Sequence, residues 1–285
     1  MTSSVLDATL CLLLVSAAVV TVVTSTPETP AGDGRADAVA ETLATTTATV
    51  NYSLTSANAS ESGDSGSIDA SLDRATHGTL AGLLARAAVA NVTVDGERTT
   101  RAHDGFRRRI VRRVQRVVRA NRTSVHAVWR PVRGVGIRGE VLVGGRPPPN
   151  VAVHAAVLTV PSSYPTARDA ALDAAERDGM SGVANVTADR TVTGMFPPER
   201  TRFALQETST AAETARRRYR RVEALVGEPP TRDLRSGKMY AANERLTAAL
   251  ADRLERGLRA SFADPVAAAR SVRVGSVRIV VRTWS

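Results

Sequence analysis

The residue types able to do covalent or metal chemistry are few and far apart. Four histidines, His77, His103, His126 and His154, are scattered over 285 residues. No two of them have the spacing that sets two imidazoles around one metal on a helix face. Cys11 is the sole thiol, which excludes an intramolecular disulfide framework and a cysteine-rich zinc site. It lies in an apolar run without a basic neighbour, an environment that keeps a thiol inert. Gly63-Asp64-Ser65-Gly66 repeats the tetrapeptide around an acyl-transfer serine, but no histidine and aspartate are placed to complete a triad. Ser236-Gly237-Lys238-Met239 has a Gly-Lys pair but neither the upstream glycine nor the following hydroxyl residue of a nucleotide loop. Gly134-Val135-Gly136 and Gly144-Gly145 fall between strand-like segments, not ahead of a helix that could cradle phosphate. Acidic pairs such as Glu176 and Asp178 fall on helical surfaces. The sequence therefore predicts a protein that is not an enzyme, with no catalytic residue, no metal site and no cofactor.

What remains is arginine. There are 38 basic residues against 28 acidic ones, a net charge of +10, and Lys238 is the only lysine. Residues 1–75 hold nine acids and two arginines, a charge of −7, so residues 76–285 carry +17. Residues 101–146 contain thirteen arginines and only Asp104 and Glu140 as acids. From Phe106 to Asn121 the pattern has helical period: Phe106, Ile110, Val111, Val114, Val117, Val118 and Ala120 share one half of the wheel. The other half holds Arg108, Arg109, Arg112, Arg113, Arg116 and Arg119, a basic amphipathic helix suited to an anionic membrane, a polymer or nucleic-acid phosphates. Nucleic acid is the weakest of these, because the one aromatic, Phe106, lies on the apolar side and cannot stack on a base. The other outcome for the same pattern is a valine face packed on a sheet with its arginines in solvent.

Ala8 to Val23 are sixteen residues without a charge. Val5 to Thr24 make a helix of about 30 Å, the thickness of the bilayer hydrocarbon. This predicts a single uncleaved transmembrane anchor over residues 1–24, with Asp7 at headgroup depth. A cleaved secretory signal is the alternative, although no Lys or Arg stands in Met1–Leu6 as a signal's first region requires. Basic residues near the span are too few to orient it. Five of the seven asparagines, Asn51, Asn58, Asn91, Asn121 and Asn185, open N-x-Ser/Thr sequons, where chance gives about one or two. Those five are candidate glycosylation sites and place the body outside the cell.

The elements that must position these side chains follow from composition and period. Residues 25–70, rich in Thr, Ser, Ala, Gly and Pro with scattered acids, read as a flexible linker. One short strand interrupts it, where Val50, Tyr52 and Leu54 alternate. A helix is expected from Asp69 or Ser71 to Ala90. Strands are expected over residues 124–130, 137–143 and 151–160, and helices over 167–177, about 208–226 and 241–262. A last strand spans 272–284 with a bulge at Gly275-Ser276. The fold class is α+β: an N-terminal transmembrane helix, a linker, then a basic extracytoplasmic domain, residues 71–285. In that domain a mostly antiparallel β-sheet packs against several helices.

Three strings carry a resemblance: SSVLDATLCLLLVSAAVVTVV at the start, HAVWRPV and VAVHAAVLTVPSS in the middle, and VRIVVRTWS at the end. Together they resemble an uncharacterised membrane-protein family of halophilic archaea, associated with type IV pilus-like gene clusters. The N-terminal layout is similar to that of a type IV pilin, an acidic residue ahead of an apolar helix that leads to an extracellular head. Asp7 stands where pilins keep an aligning acid. The pattern departs from pilins in having no Lys/Arg-Gly pair before the apolar run. The resemblance implies a non-enzymatic, single-pass membrane protein with an extracellular head, an accessory or minor pilin-like component of an archaeal surface structure. Its partners would be the membrane and pilus-like or other envelope proteins. The alternative is a basic binding module that meets anionic membrane, polymer or nucleic acid through residues 106–121. In a halophile's molar salt, screening to about 3 Å would confine those arginines to contact range.

Overall fold

A computed structural model of the chain describes residues 34–54, 72–118, 122–206, 210–231, 234 and 238–285. Arg35–Ser285 forms one compact unit. The apolar run Ala8–Val23 lies outside the described residues, and among the described residues no helix is long and apolar enough to cross a membrane.

The unit begins inside the segment whose composition reads as a linker. Helix α1, Arg35–Thr45, buries Ala36, Ala40 and Leu43, and strand β1, Thr47–Leu54, follows it. Small side chains hid this helix: with two alanines and one leucine facing inward, its apolar face is narrow. A second correction concerns residues 72–79. They form strand β2, paired antiparallel with β1 from Thr47–Thr79 to Leu54–Leu72, and only Leu80–Ala90 is helix α2. Thr79 ends the strand and caps the helix, its hydroxyl accepting from the Gly82 amide at 3.1 Å. That is the capping geometry a Thr offers at a strand-to-helix junction.

The rest of the chain follows the expected α+β plan. After β3, Val92–Val94, and β4, Glu97–Arg98, comes the arginine helix α3, Asp104–Val118. Strands β5, Thr123–Trp129, β6, Ile137–Gly144, and β7, Val153–Pro161, precede the final strand β8, Ser276–Trp284. They form a six-stranded antiparallel sheet of order β4-β3-β6-β5-β8-β7. Gly275 stands just before β8 and does not bulge it, since the β7–β8 register runs unbroken from Val153–Trp284 to Pro161–Ser276.

One face of this sheet is covered by α1, α2 and α3. On that face Val125, Ala127 and Trp129 of β5, Val141 and Val143 of β6 and Ile279 and Val281 of β8 are buried. The approach of α2 is close: a Cβ at Gly139 of β6 would stand 2.1 Å from the Ala88 carbonyl oxygen. Only glycine fits that crossing. The opposite face, bearing Arg138, Leu142, Val157 and Arg278, is exposed.

A helical layer joins the sheet at one end. It comprises α4, Arg168–Met195, α5, Pro198–Gln206, α6, Thr210–Val226, α7, Met239–Ser261, and α8, Pro265–Arg270. Gly179, at φ 63°, breaks α4 into two helices, which is why the period-3.6 pattern of its first half stops near Arg177. The Leu246, Leu250, Leu254 and Leu258 stripe of α7 is buried, as core packing requires. Trp129 anchors the connections between sheet and layer: its indole N–H donates to the Val274 carbonyl, just before β8, at 2.7 Å, and Tyr164, between β7 and α4, packs edge-on at 4.8 Å.

Candidate functional site

Helix α3 exists because its inward side pays for its outward one. Phe106, Ile110, Val114 and Val118 are buried, and burial of such side chains is worth about 1.5–3 kcal/mol each. The outward side opposes helix formation. Arg108, Arg112 and Arg116 follow one another at intervals of four, and Arg109 and Arg113 form a second such pair. Like charges at that spacing cost a few tenths of a kcal/mol per pair, roughly 1 kcal/mol for the three pairs. Burial wins by a wide margin, so the basic face can persist without counter-charges.

It does persist without them. Asp104 is the only acid in α3, and its carboxylate is engaged by Arg98 at 3.1 Å and by Arg107 at 3.9 Å. Among the described residues no carboxylate lies within 4.0 Å of Arg108, Arg109, Arg112, Arg113 or Arg116. Some arginines elsewhere in the protein find acids. Glu213 of α6 takes Arg217 at 2.9 Å and Arg220 at 3.1 Å, and the Arg217 hydrogen bond leads the causes that lower its pKa. Glu97 takes Arg221 at 2.7 Å, and Arg253 and Arg259 pair with Asp95 and Glu255. Other arginines, among them Arg133, Arg168, Arg273 and Arg278, also have no carboxylate of the described residues within 4.0 Å, so the α3 face is set apart by the gathering of such arginines along one helix.

Two hollows lie along the face. Arg112, Gln115 and Arg116 line the first. The second is lined by Asn51, Tyr52 and Ser53 of β1, Arg74 and Ala75 of β2, and Arg109. The β1–β2 pair is held there by Tyr52, whose ring meets Phe106 at 4.7 Å. Arg74 thus extends the basic surface. Sequence reasoning missed it, because residues 72–79 read as helix and nothing local marks a hairpin contact.

Beside α3, His103 is pushed down to about 4, first by burial and then by the Arg218 and Arg74 guanidiniums, with Asp104 opposing. It is therefore neutral at physiological pH and adds no charge to the face. The other histidines stand apart: His77 bonds Thr49 at 3.0 Å and His126 faces Glu140 at 3.4 Å on the exposed sheet face. Among the described residues no three metal-ligating side chains gather.

The asparagines of the sequons are distributed differently. Asn51 is exposed beside Arg109, and Asn185 is exposed on α4. Asn91 is half-buried at the end of α2, its side-chain amide donating to the Glu140 carbonyl at 3.0 Å. Asn58, Asn121 and Arg119 lie outside the described residues.

The model of a family of unknown function, DUF7284, matches residues 6–284. The chain belongs to that family. No curated protein and no solved structure matches it. For this DUF7284 member the reading of function therefore rests on the geometry of the α3 face.

Proposed function

We propose that this DUF7284 member is a non-enzymatic, membrane-tethered binding module that lays the arginine face of α3 on an anionic membrane surface. The observation that supports it is the set of four exposed arginines, Arg108, Arg109, Arg112 and Arg116, on one helix face without a carboxylate partner, while Arg113, seven residues from buried Phe106, is half-buried at the edge of the packed side. Guanidiniums bind phosphate oxygens in bidentate fashion, and headgroup phosphates supply the missing acceptors. The apolar side of α3 is buried in the core, so contact is electrostatic and at headgroup depth, without insertion. The apolar run Ala8–Val23 serves as the single span in this reading. It holds the module at the bilayer and raises the effective concentration of the face there. The sequons favour a module outside the cell, where it acts as an accessory of a pilus-like or other envelope structure in a halophilic archaeon.

Nucleic acid is the disfavoured polyanion, because Phe106 is buried and Tyr52, the one ring lining the hollows described along the arginine face, is half-buried and packed against it, whereas single strands are held by several exposed stacking rings. The test compares the full chain on phosphatidylglycerol and phosphatidylcholine vesicles by flotation. The apolar run contributes equally to both, so the ratio reads the arginines. Binding is expected to favour phosphatidylglycerol, and R108Q/R112Q/R116Q is expected to abolish that preference. Equal retention on both lipids by the natural chain contradicts the reading, as does tighter retention on duplex or single-stranded DNA.

A further inference from the structure

Where the loop ahead of α3, the loop between β7 and α4, and helix α6 meet, His103 Nδ1, the Tyr164 hydroxyl and Arg218 Nε are buried without a hydrogen-bond partner. Packing fixes each of them. Tyr164 is 7% exposed, and its ring lies so close on α4 that a Cβ at Gly194 would stand 2.2 Å from it. Phe196, at the end of that helix, lies under the Arg218 guanidinium, whose carbon stands 5.3 Å from the ring centre. The other side of the Phe196 ring is occupied, since it stacks on Tyr219 at 3.8 Å. Three residues on from Arg218, Arg221 donates to the Arg98 carbonyl at 3.1 Å and pairs with Glu97 at 2.7 Å. Those contacts hold α6 against the segment that leads to His103.

Arg218 is the centre of the three. Burial pushes the Tyr164 hydroxyl up and the Arg218 charge draws it back, while His103 is pushed down by burial and then by Arg218 and Arg74. Both are neutral at physiological pH, and the phenol keeps its proton. A guanidinium brings five N–H donors and no acceptor, the phenol adds an O–H and the imidazole one N–H. Among the described residues no carboxylate lies within 4.0 Å of Arg218. The nearby acids are engaged: Asp104 by Arg98 and Arg107, Glu213 by Arg217 and Arg220, and Glu223 by Thr231 and Arg245. Donors in excess beside a half-buried positive charge call for an acceptor that carries negative charge. Water, with as many donors as acceptors, leaves the charge unbalanced.

We propose that Arg218, Tyr164 and His103 form a binding site for a phosphate group, distinct from the α3 face. The donors come from three separate segments, so they suit a tetrahedral oxyanion, whose oxygens point in several directions. A carboxylate offers only two oxygens in one plane. The guanidinium takes two phosphate oxygens in its fork, and the phenol and the imidazole each donate to an oxygen. Arg74 lines the hollow it shares with Arg109 and also acts on His103, so positive charge leads from the surface to the site.

Calorimetric titration of the full chain in mild detergent with inorganic phosphate, at constant ionic strength, tests this. Saturable binding of one phosphate per chain is expected. Tyr164→Phe, which removes the hydroxyl and keeps the ring, is expected to weaken it about tenfold or more, and Arg218→Gln to abolish it. R108Q/R112Q/R116Q is expected to bind phosphate like the natural chain, so loss of the lipid preference and loss of this site read separately. Glycerol 3-phosphate distinguishes the source of the group: tighter binding than inorganic phosphate marks the head of a larger molecule, and weaker binding marks the free ion. No saturable phosphate binding overturns the proposal, as does binding that the α3 variant loses and Arg218→Gln keeps. If Arg218→Gln does not fold, Tyr164→Phe decides, and phosphate binding equal to that of the natural chain overturns it.

Discussion

His103 shows how the arginine surroundings act on a single side chain. Its pKa of about 4 in the fold lies below the 6.5 of an unperturbed histidine. The unfolded chain therefore takes up a proton that the folded one refuses. This contribution is complete above about pH 6.5 and is lost as pH falls toward about 4. Its size is on the order of 2–3 kcal/mol. Denaturant unfolding at pH 7.5 and pH 4.5 is expected to show that loss in the natural chain and a clearly smaller one in His103→Gln. The same pH dependence in both would mean that the carboxylates alone set it. Neighbouring side chains explain the direction: burial removes water from the ring, and Arg218 and Arg74 add like charge. Nothing around His103 in the sequence announces this, because Arg218 lies on α6 and Arg74 on β2.

Among the elements, α3 and α2 make opposite demands. The α3 arginines repel one another, so replacing Arg108, Arg112 and Arg116 by glutamine is expected to raise stability slightly, by about 1 kcal/mol or less. A thermal melt checks it, and a large loss would mean that these arginines have partners within the fold. The α2 crossing tolerates no such change. Gly139→Ala drives a methyl group into the Ala88 carbonyl and is expected to cost about 1–3 kcal/mol. An unchanged melting temperature would show that α2 can move away. Sequence period found α3, β5, β6, β7 and α7 because each has a wide apolar face or a clean alternation. It missed α1, whose inward face is built from Ala36, Ala40 and Leu43 and looks like linker composition. It extended α2 backwards over β2 because Leu72–Thr79 has no alternation of its own, being held by its pairing with β1. The second half of α4 was lost because Gly179 resets the helical phase. The arginine face was legible as a pattern. That its arginines lack acids was not, since pairing depends on where the fold places Glu97 of β4, Glu213 of α6 and Asp95 of the β3–β4 turn.

For the whole molecule, charge and apolar surface are divided between two regions. The helix-covered side of the sheet presents α3 and its unpaired guanidiniums, while the open side ends in the uncharged β7 edge. The α3 face carries the proposed membrane contact. Its most direct test is the ratio of binding to phosphatidylglycerol over phosphatidylcholine vesicles, followed as salt is raised, for the natural chain and R108Q/R112Q/R116Q. A ratio well above one is expected at low salt, falling as salt screens the contact, and a ratio near one is expected for the variant throughout. A variant that keeps the natural chain's ratio and salt dependence would contradict it.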